Sequence, residues 1–166
     1  QTANDVIKSY SIPREKVAVV HNGIDSNIFS PNAGKIKELQ ELKGPKILFV
    51  SGWNWRKGYF YLVRAFLKVL EKLPDAKLVI ITGRESEDIV KKAFPKKAQS
   101  SILVYSCIKN SILPKYYNSC SLFVLPSLYE GHSLSVLEAM SCETPVIGTD
   151  VADMKFTIEK SKSGIV

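Results

Sequence analysis

The chain is poor in features that would fix a function at a glance. It has three cysteines and two histidines in 166 residues. Cys107, Cys120 and Cys142 are scattered, with no C-x-x-C pair, so neither a zinc ribbon nor a disulfide framework is written here. They read as three small apolar core residues of a reducing compartment. No apolar run approaches the ~18–20 residues that cross a bilayer. No basic stretch followed by an apolar one opens the chain. The nucleophile elbow G-x-S-x-G, the phosphate loop G-x-x-x-x-G-K-[ST] and the dinucleotide fingerprint G-x-G-x-x-G are all missing. No histidine cluster or carboxylate pair shows metal-ligand spacing, and Asp150 and Asp153 do not form a D-x-D site. There is no internal repeat and no low-complexity tract.

What is present is an ordinary globular composition, 45% hydrophobic and 23% charged. The length suits one domain with a real core. The net charge of +7 suggests an anionic partner: a nucleotide, an acidic lipid surface or a nucleic acid. Lys91-Lys92 and Lys96-Lys97 flank Phe94-Pro95. Aromatic interleaving is thin there, so the cluster reads as a solvated helix end rather than a nucleic-acid surface. The chain opens on Gln1 and stops at Val166, and both ends read as cut.

Apolar runs alternate with helical patterns. Strands are expected at 17–20, 47–50, 78–82, 102–105, 122–125 and 146–148. Tyr59, Leu62, Val63, Phe66, Leu67, Leu70 and Leu73 recur at helical spacing, which marks a long helix with one buried face ending at Leu73-Pro74. Shorter helices are expected near 87–94, 112–118, 135–142 and 154–160. Continuous Val/Ile/Leu strands are buried on both faces, as in a parallel sheet. The alternation predicts an α/β fold with a doubly wound, mostly parallel, Rossmann-like sheet. Residues 1–16 read as the remnant of an upstream domain or linker, and 17–166 as the domain itself. Residues 26–44 read as a polar connector with a short helix at 35–42.

The most informative stretch is 126–140. Glu130 and Glu138 stand there with seven residues between them, between an apolar strand and an apolar helix. Glu130 falls on the loop at the carboxyl end of the strand and Glu138 about two turns into the helix. In open α/β sheets ligands bind along that edge. Carboxylates there accept sugar hydroxyls, and a helix start offers free N–H groups to phosphate. The bland reading of Glu138 is an exposed helix face. Its apolar neighbours argue instead for a partly buried acid needing donors, which a ribose diol supplies.

A second loop, Gly52 to Gly58, follows the strand at 47–50. Its glycines permit a tight turn, and Arg56 and Lys57 bring positive charge to the same edge. Gly83 reads as a turn and His21 as a turn-stabilising residue before Asn22-Gly23. His132 is either a donor near phosphate or a surface loop histidine.

In order along the chain stand Val20-His-Asn-Gly-Ile-Asp25 with Phe29-Ser-Pro31, Lys57-Gly58, Pro126-Ser127, Glu130-Gly131, Glu138-Ala-Met140 and Thr144-Pro-Val146. From about residue 17 onward this resembles the C-terminal half of the family-four, GT-B-fold, retaining glycosyltransferases. The resemblance implies a domain that binds a nucleotide-diphosphate sugar. Glu138 would hold the ribose hydroxyls and Glu130 the donor sugar. The backbone of Gly131, His132 and Ser133 would meet sugar or phosphate. Lys57, with Arg56, would neutralise the departing diphosphate, and Gly52 would line the same loop. The base would lie near Cys107 and Ile108.

The resemblance further implies no cofactor and no metal. The acceptor, a glycan or glycolipid, would sit on a missing N-terminal domain. A cytoplasmic enzyme is expected, with room for peripheral contact at the inner face of a membrane in the parent protein, and no nucleic-acid partner is expected. The chain departs from the family at three points: Trp53 stands where an arginine is usual, His132-Ser133 replaces Phe-Gly, and Cys107 replaces a glycine. A donor-binding fragment that transfers poorly alone is the expected behaviour. A non-catalytic nucleotide-sugar module and a basic nucleic-acid-binding domain are the alternatives. Glu138→Ala or Lys57→Ala is expected to weaken nucleotide binding and leave folding intact.

Overall fold

Five of the six expected strands form, and they form one sheet. The computed structural model describes residues 2–166. The strands are β1 (Lys46–Val50), β2 (Lys77–Thr82), β3 (Ile102–Ser106), β4 (Leu122–Leu125), β5 (Val146–Gly148) and a short β6 (Gly164–Ile165). The helices are α1 (Thr2–Tyr10), α2 (Lys37–Glu41), α3 (Tyr59–Lys72), α4 (Glu87–Lys91), α5 (Leu113–Ser119), α6 (Leu134–Ser141) and α7 (Met154–Lys160). The spatial order is β3-β2-β1-β4-β5-β6, and every pairing is parallel. The expectation of a mostly parallel sheet is met by a wholly parallel one among the described residues.

The order follows from the sequence pattern. Leu78, Val79 and Ile80 of β2 are buried on both faces. A strand like that needs helices above and below, and each apolar side chain so covered is worth about 1.5–3 kcal/mol. α3 supplies one cover through Leu62, Val63 and Phe66. It ends at Leu73, before Pro74, whose ring cannot continue a helix. α5 starts with Pro114 in its first turn, where the missing N–H costs nothing.

The chain winds outward from β1 to β2 and β3, then returns to lay β4 on the other side of β1. β1 and β4 therefore flank the topological switch point, where the carboxyl ends of an open sheet leave a crevice.

Three expectations need correction. Residues 17–20 are not a strand: Val19 and Val20 are 58% and 88% exposed, and no strand runs beside them. An apolar run becomes a strand only where a neighbour takes its N–H and C=O groups. The helix expected near 87–94 stops at Lys91, and the chain continues past Pro95 as a 3-10 helix, Lys96–Ser101. Cys107 is exposed rather than buried, while Cys142 is buried and Cys120 half-buried. Burial pushes the Cys120 thiol up to about 12 and the Cys142 thiol up to about 11, so both stay protonated and inert.

Candidate functional site

The loop after β1 is fixed mainly by its own backbone. Ser51 N–H donates to Ile81 O across 3.1 Å. The Trp53 ring turns inward, with ring centres 5.8 Å from Phe49 and 4.9 Å from Tyr59. Position 53, where the resemblance led to an arginine being expected, therefore presents no cation. Instead the Glu85 carboxylate accepts from Trp53 N–H at 3.2 Å and from Arg84 N–H at 3.3 Å. A 3-10 turn, Trp55–Lys57, then runs into Gly58 at φ +69°. A Cβ on Gly58 would lie 1.8 Å from Pro126 O. Only glycine allows both that backbone conformation and that approach.

The loop after β4 locks onto the first one. Leu128 N–H donates to Arg56 O at 2.8 Å, and Thr149 Oγ1 donates to Ser127 O at 2.6 Å. Lys57 Nζ meets Glu130 Oε1 at 2.7 Å, and Ser127 Oγ donates to the same oxygen at 2.7 Å. The Lys57 and Glu130 side chains are only 19% and 8% exposed. Two charges this deep persist because each satisfies the other. Both bonds fall on Oε1, so Oε2 has no hydrogen bond among the described residues.

Glu138 lies four residues into α6, about 6 Å from its start. That is just over one turn rather than the expected two. Ser133 opens α6 without a side-chain cap, so the first-turn N–H groups point outward unpartnered by it. Tyr117 OH donates to Glu138 Oε2 at 2.7 Å. Burial raises the Glu138 pKa above the ordinary carboxylate value, and the Tyr117 bond partly opposes that rise. The Tyr117 hydroxyl is itself held well above 10, first by burial and then by the adjacent acid. Glu138 Oε1 has no protein partner among the described residues.

The remaining expected residues are spread around this junction. Gly52 sits at the carboxyl end of β1, and Gly131 has open space where a Cβ would be. Arg56 is exposed, with no ion pair among the described residues. Only its carbonyl joins the junction. Cys107 adopts φ +56°, the left-handed conformation a glycine takes without strain, and its Sγ donates to Gly83 O at 2.7 Å. Ile108 packs against the core beside it.

The structure overturns the expectation that no histidine cluster exists. His21 and His132 meet Asp153: Nδ1 to Nδ1 is 3.2 Å, and His132 Nδ1 to Asp153 Oδ2 is 3.2 Å. Spacing gave no hint of that convergence, nor of Tyr117 beneath Glu138. It depends on which loops the sheet brings together.

A family model for Glycosyl transferases group 1 matches residues 44–166. The chain belongs to this family. An uncharacterised glycosyltransferase of Methanocaldococcus jannaschii is 29% identical over 169 residues, covering 97% of this chain and 43% of that protein. The sucrose-phosphate synthase of Thermosynechococcus elongatus has the same fold at TM-score 0.76 and 21% identity, over 99% of this chain and 43% of its own. The C-terminal domain of a Francisella tularensis group 1 glycosyl transferase superposes at TM-score 0.62 and 26% identity, over 76% of this chain and 70% of its own.

The chain spans less than half the length of the curated relatives it matches. For this group 1 glycosyl transferase domain, the junction of β1 and β4 is the strongest candidate site. A hollow of about 590 Å³ between Leu67, Pro74 and Lys97 touches none of its residues. No described helix is long and apolar enough to cross a membrane.

Proposed function

We propose that this domain binds a nucleotide-diphosphate sugar at the β1/β4 switch point. In the full protein, the sugar would pass with retention to an acceptor held by a separate N-terminal domain. The observation that carries this reading is the Lys57–Glu130 pair, which joins the two switch-point loops at 2.7 Å beside the open start of α6. A sugar diphosphate needs a cation for its leaving phosphate and an acceptor for its sugar hydroxyls. Lys57 supplies the first and Glu130, through Oε2, the second.

Glu138 takes the ribose hydroxyls on its free Oε1. Gly131, His132 and Ser133 carry the α6 start to the phosphate. Gly52 lines the diphosphate side, and Cys107 and Ile108 bound the base. Negative charge growing on the departing diphosphate is stabilised by Lys57 and the helix start, while Arg56 is available from the exposed side. The acceptor, a glycan or glycolipid, would be chosen by that separate domain, which would also make any peripheral membrane contact.

Trp53, turned into the core where the family carries arginine, favours a second reading. With one cation fewer, the domain would bind nucleotide sugar without turnover. A thermal-shift panel of uridine, guanosine and adenosine diphosphate sugars tests binding. One of them, well above its dissociation constant, should stabilise the chain by roughly 2–4 kcal/mol, and Glu138→Ala should abolish most of that. No response to any donor would sink both readings. Full-length protein with labelled donor separates transfer from binding alone.

A further inference from the structure

We propose that His21, His132 and Asp153 form a binding site for a divalent transition metal of the zinc class. The proposal does not rest on the nucleotide-sugar reading, although the two share His132: that reading uses its backbone, and this one its ring. The chain has two histidines in all, separated by more than a hundred positions, and both bring Nδ1 to one carboxylate oxygen. The three edges of that triangle are 3.2, 3.2 and 3.6 Å. Tetrahedral zinc, with bonds of about 2.0–2.1 Å, spaces its ligand atoms about 3.3–3.4 Å apart. The triangle already has that size.

Protons satisfy the arrangement poorly. A neutral imidazole carries one N–H. If only His132 Nδ1 is protonated and donates to Asp153, the lone pairs of His21 Nδ1 and Asp153 Oδ2 face each other unpaired. If both Nδ1 atoms are protonated, two N–H groups collide across 3.2 Å. One cation answers all three lone pairs at once. A metal on His132 Nδ1 puts the ring hydrogen on Nε2, which is buried without a protein partner among the described residues.

The ligands come from three separate segments. His21 lies in the coil before α2, His132 in the loop before α6, and Asp153 just before α7. Asn22 Nδ2 donates to His132 O at 3.2 Å and steadies the approach of the first two. The His132 and Asp153 side chains are 17% and 25% exposed, while His21, at 64%, faces solvent. A cleft of about 440 Å³ lined by all three admits the ion and a water as fourth ligand. Two imidazoles and one carboxylate favour zinc, cobalt or nickel over magnesium or calcium. The ion would staple the coil around residue 21 to the loop next to Glu130. It is not placed on reacting atoms, so it leaves open the implied absence of metal from the transfer step.

The test is a titration of the metal-free, tag-free chain with cobalt(II), read by visible absorption. The expected result is a saturable one-to-one complex with the intense bands of tetrahedral nitrogen and oxygen ligation, bleached by zinc. Zinc should also raise Tm. His21→Ala and Asp153→Asn should match wild-type Tm in chelator. Each should weaken zinc binding by at least about 100-fold, more than loss of an outer partner costs. Four results would overturn the site: no absorption, only the weak bands of six-coordinate cobalt, thiolate bands from Cys107, or zinc binding that survives His21→Ala.

Discussion

Two regions of this domain carry similar residues and behave in opposite ways. Residues 17–20, Val-Ala-Val-Val, are as apolar as β2, yet Val20 is 88% exposed while Val79 is fully buried. The difference is not composition. β2 lies between two strands that take its backbone groups, and residues 17–20 lie beside none. The switch-point loops show the same rule. They are held by backbone hydrogen bonds, a glycine contact and a buried ion pair, whereas the segment before α2 is held by the buried Phe29 and by side chains such as Asn118 and Ser141 that donate to its carbonyls. This domain thus sets a closely bonded junction on its sheet.

Breaking the junction should cost most. Gly58→Ala puts a Cβ into Pro126 O at an unfavourable φ, and should destabilise the chain by at least about 3 kcal/mol in denaturant unfolding. Lys57→Ala comes next, and here the structure revises the expectation that folding stays intact. It strands the nearly buried Glu130 charge and should cost about 2–3 kcal/mol. Adding Glu130→Gln should restore most of that loss, and a double-mutant cycle measures it.

Glu138→Ala should lower nucleoside-diphosphate affinity about 10–100-fold by calorimetry, the worth of one or two charge-assisted hydrogen bonds. The pH dependence has a definite sign. Burial raises the Glu138 pKa, so the folded chain holds that proton more tightly than the unfolded one. The unliganded fold loses stability as pH rises through that value and regains it below the ordinary carboxylate range. Nucleotide affinity runs the other way, because the ribose hydroxyls need the ionised acceptor. The smallest effect belongs to the other region. Val20→Ser should shift stability by less than about 0.5 kcal/mol.

β1 to β5 were legible because they are apolar runs between helical patterns and α3 has a clean helical period, while the short β6, Gly164–Ile165, carries no such signal. The strand at 17–20 was misread because apolarity is local and pairing is not. That Lys57 and Glu130 belong to loops of one sheet edge was legible because each loop follows a strand of the switch point, while Glu138 was legible as an acid inside the apolar helix that follows. The Lys57–Glu130 contact, the Tyr117 bond to Glu138 and the His21–His132–Asp153 triangle were not. Each joins residues whose separation along the chain carries no period, and each depends on the packed loops. Cys107 lies between these cases. Its φ of +56° is one that glycine adopts without strain, but no single sequence displays a dihedral angle.

The most direct test of the switch-point account is amide chemical-shift mapping of the isotopically labelled chain during titration with nucleoside diphosphates. The account predicts that at least one base moves the amides of Lys57, Gly58, Gly131, Ser133 and Glu138 together, saturably. Shifts confined to the hollow near Leu67 and Lys97, or none with any base, would contradict it.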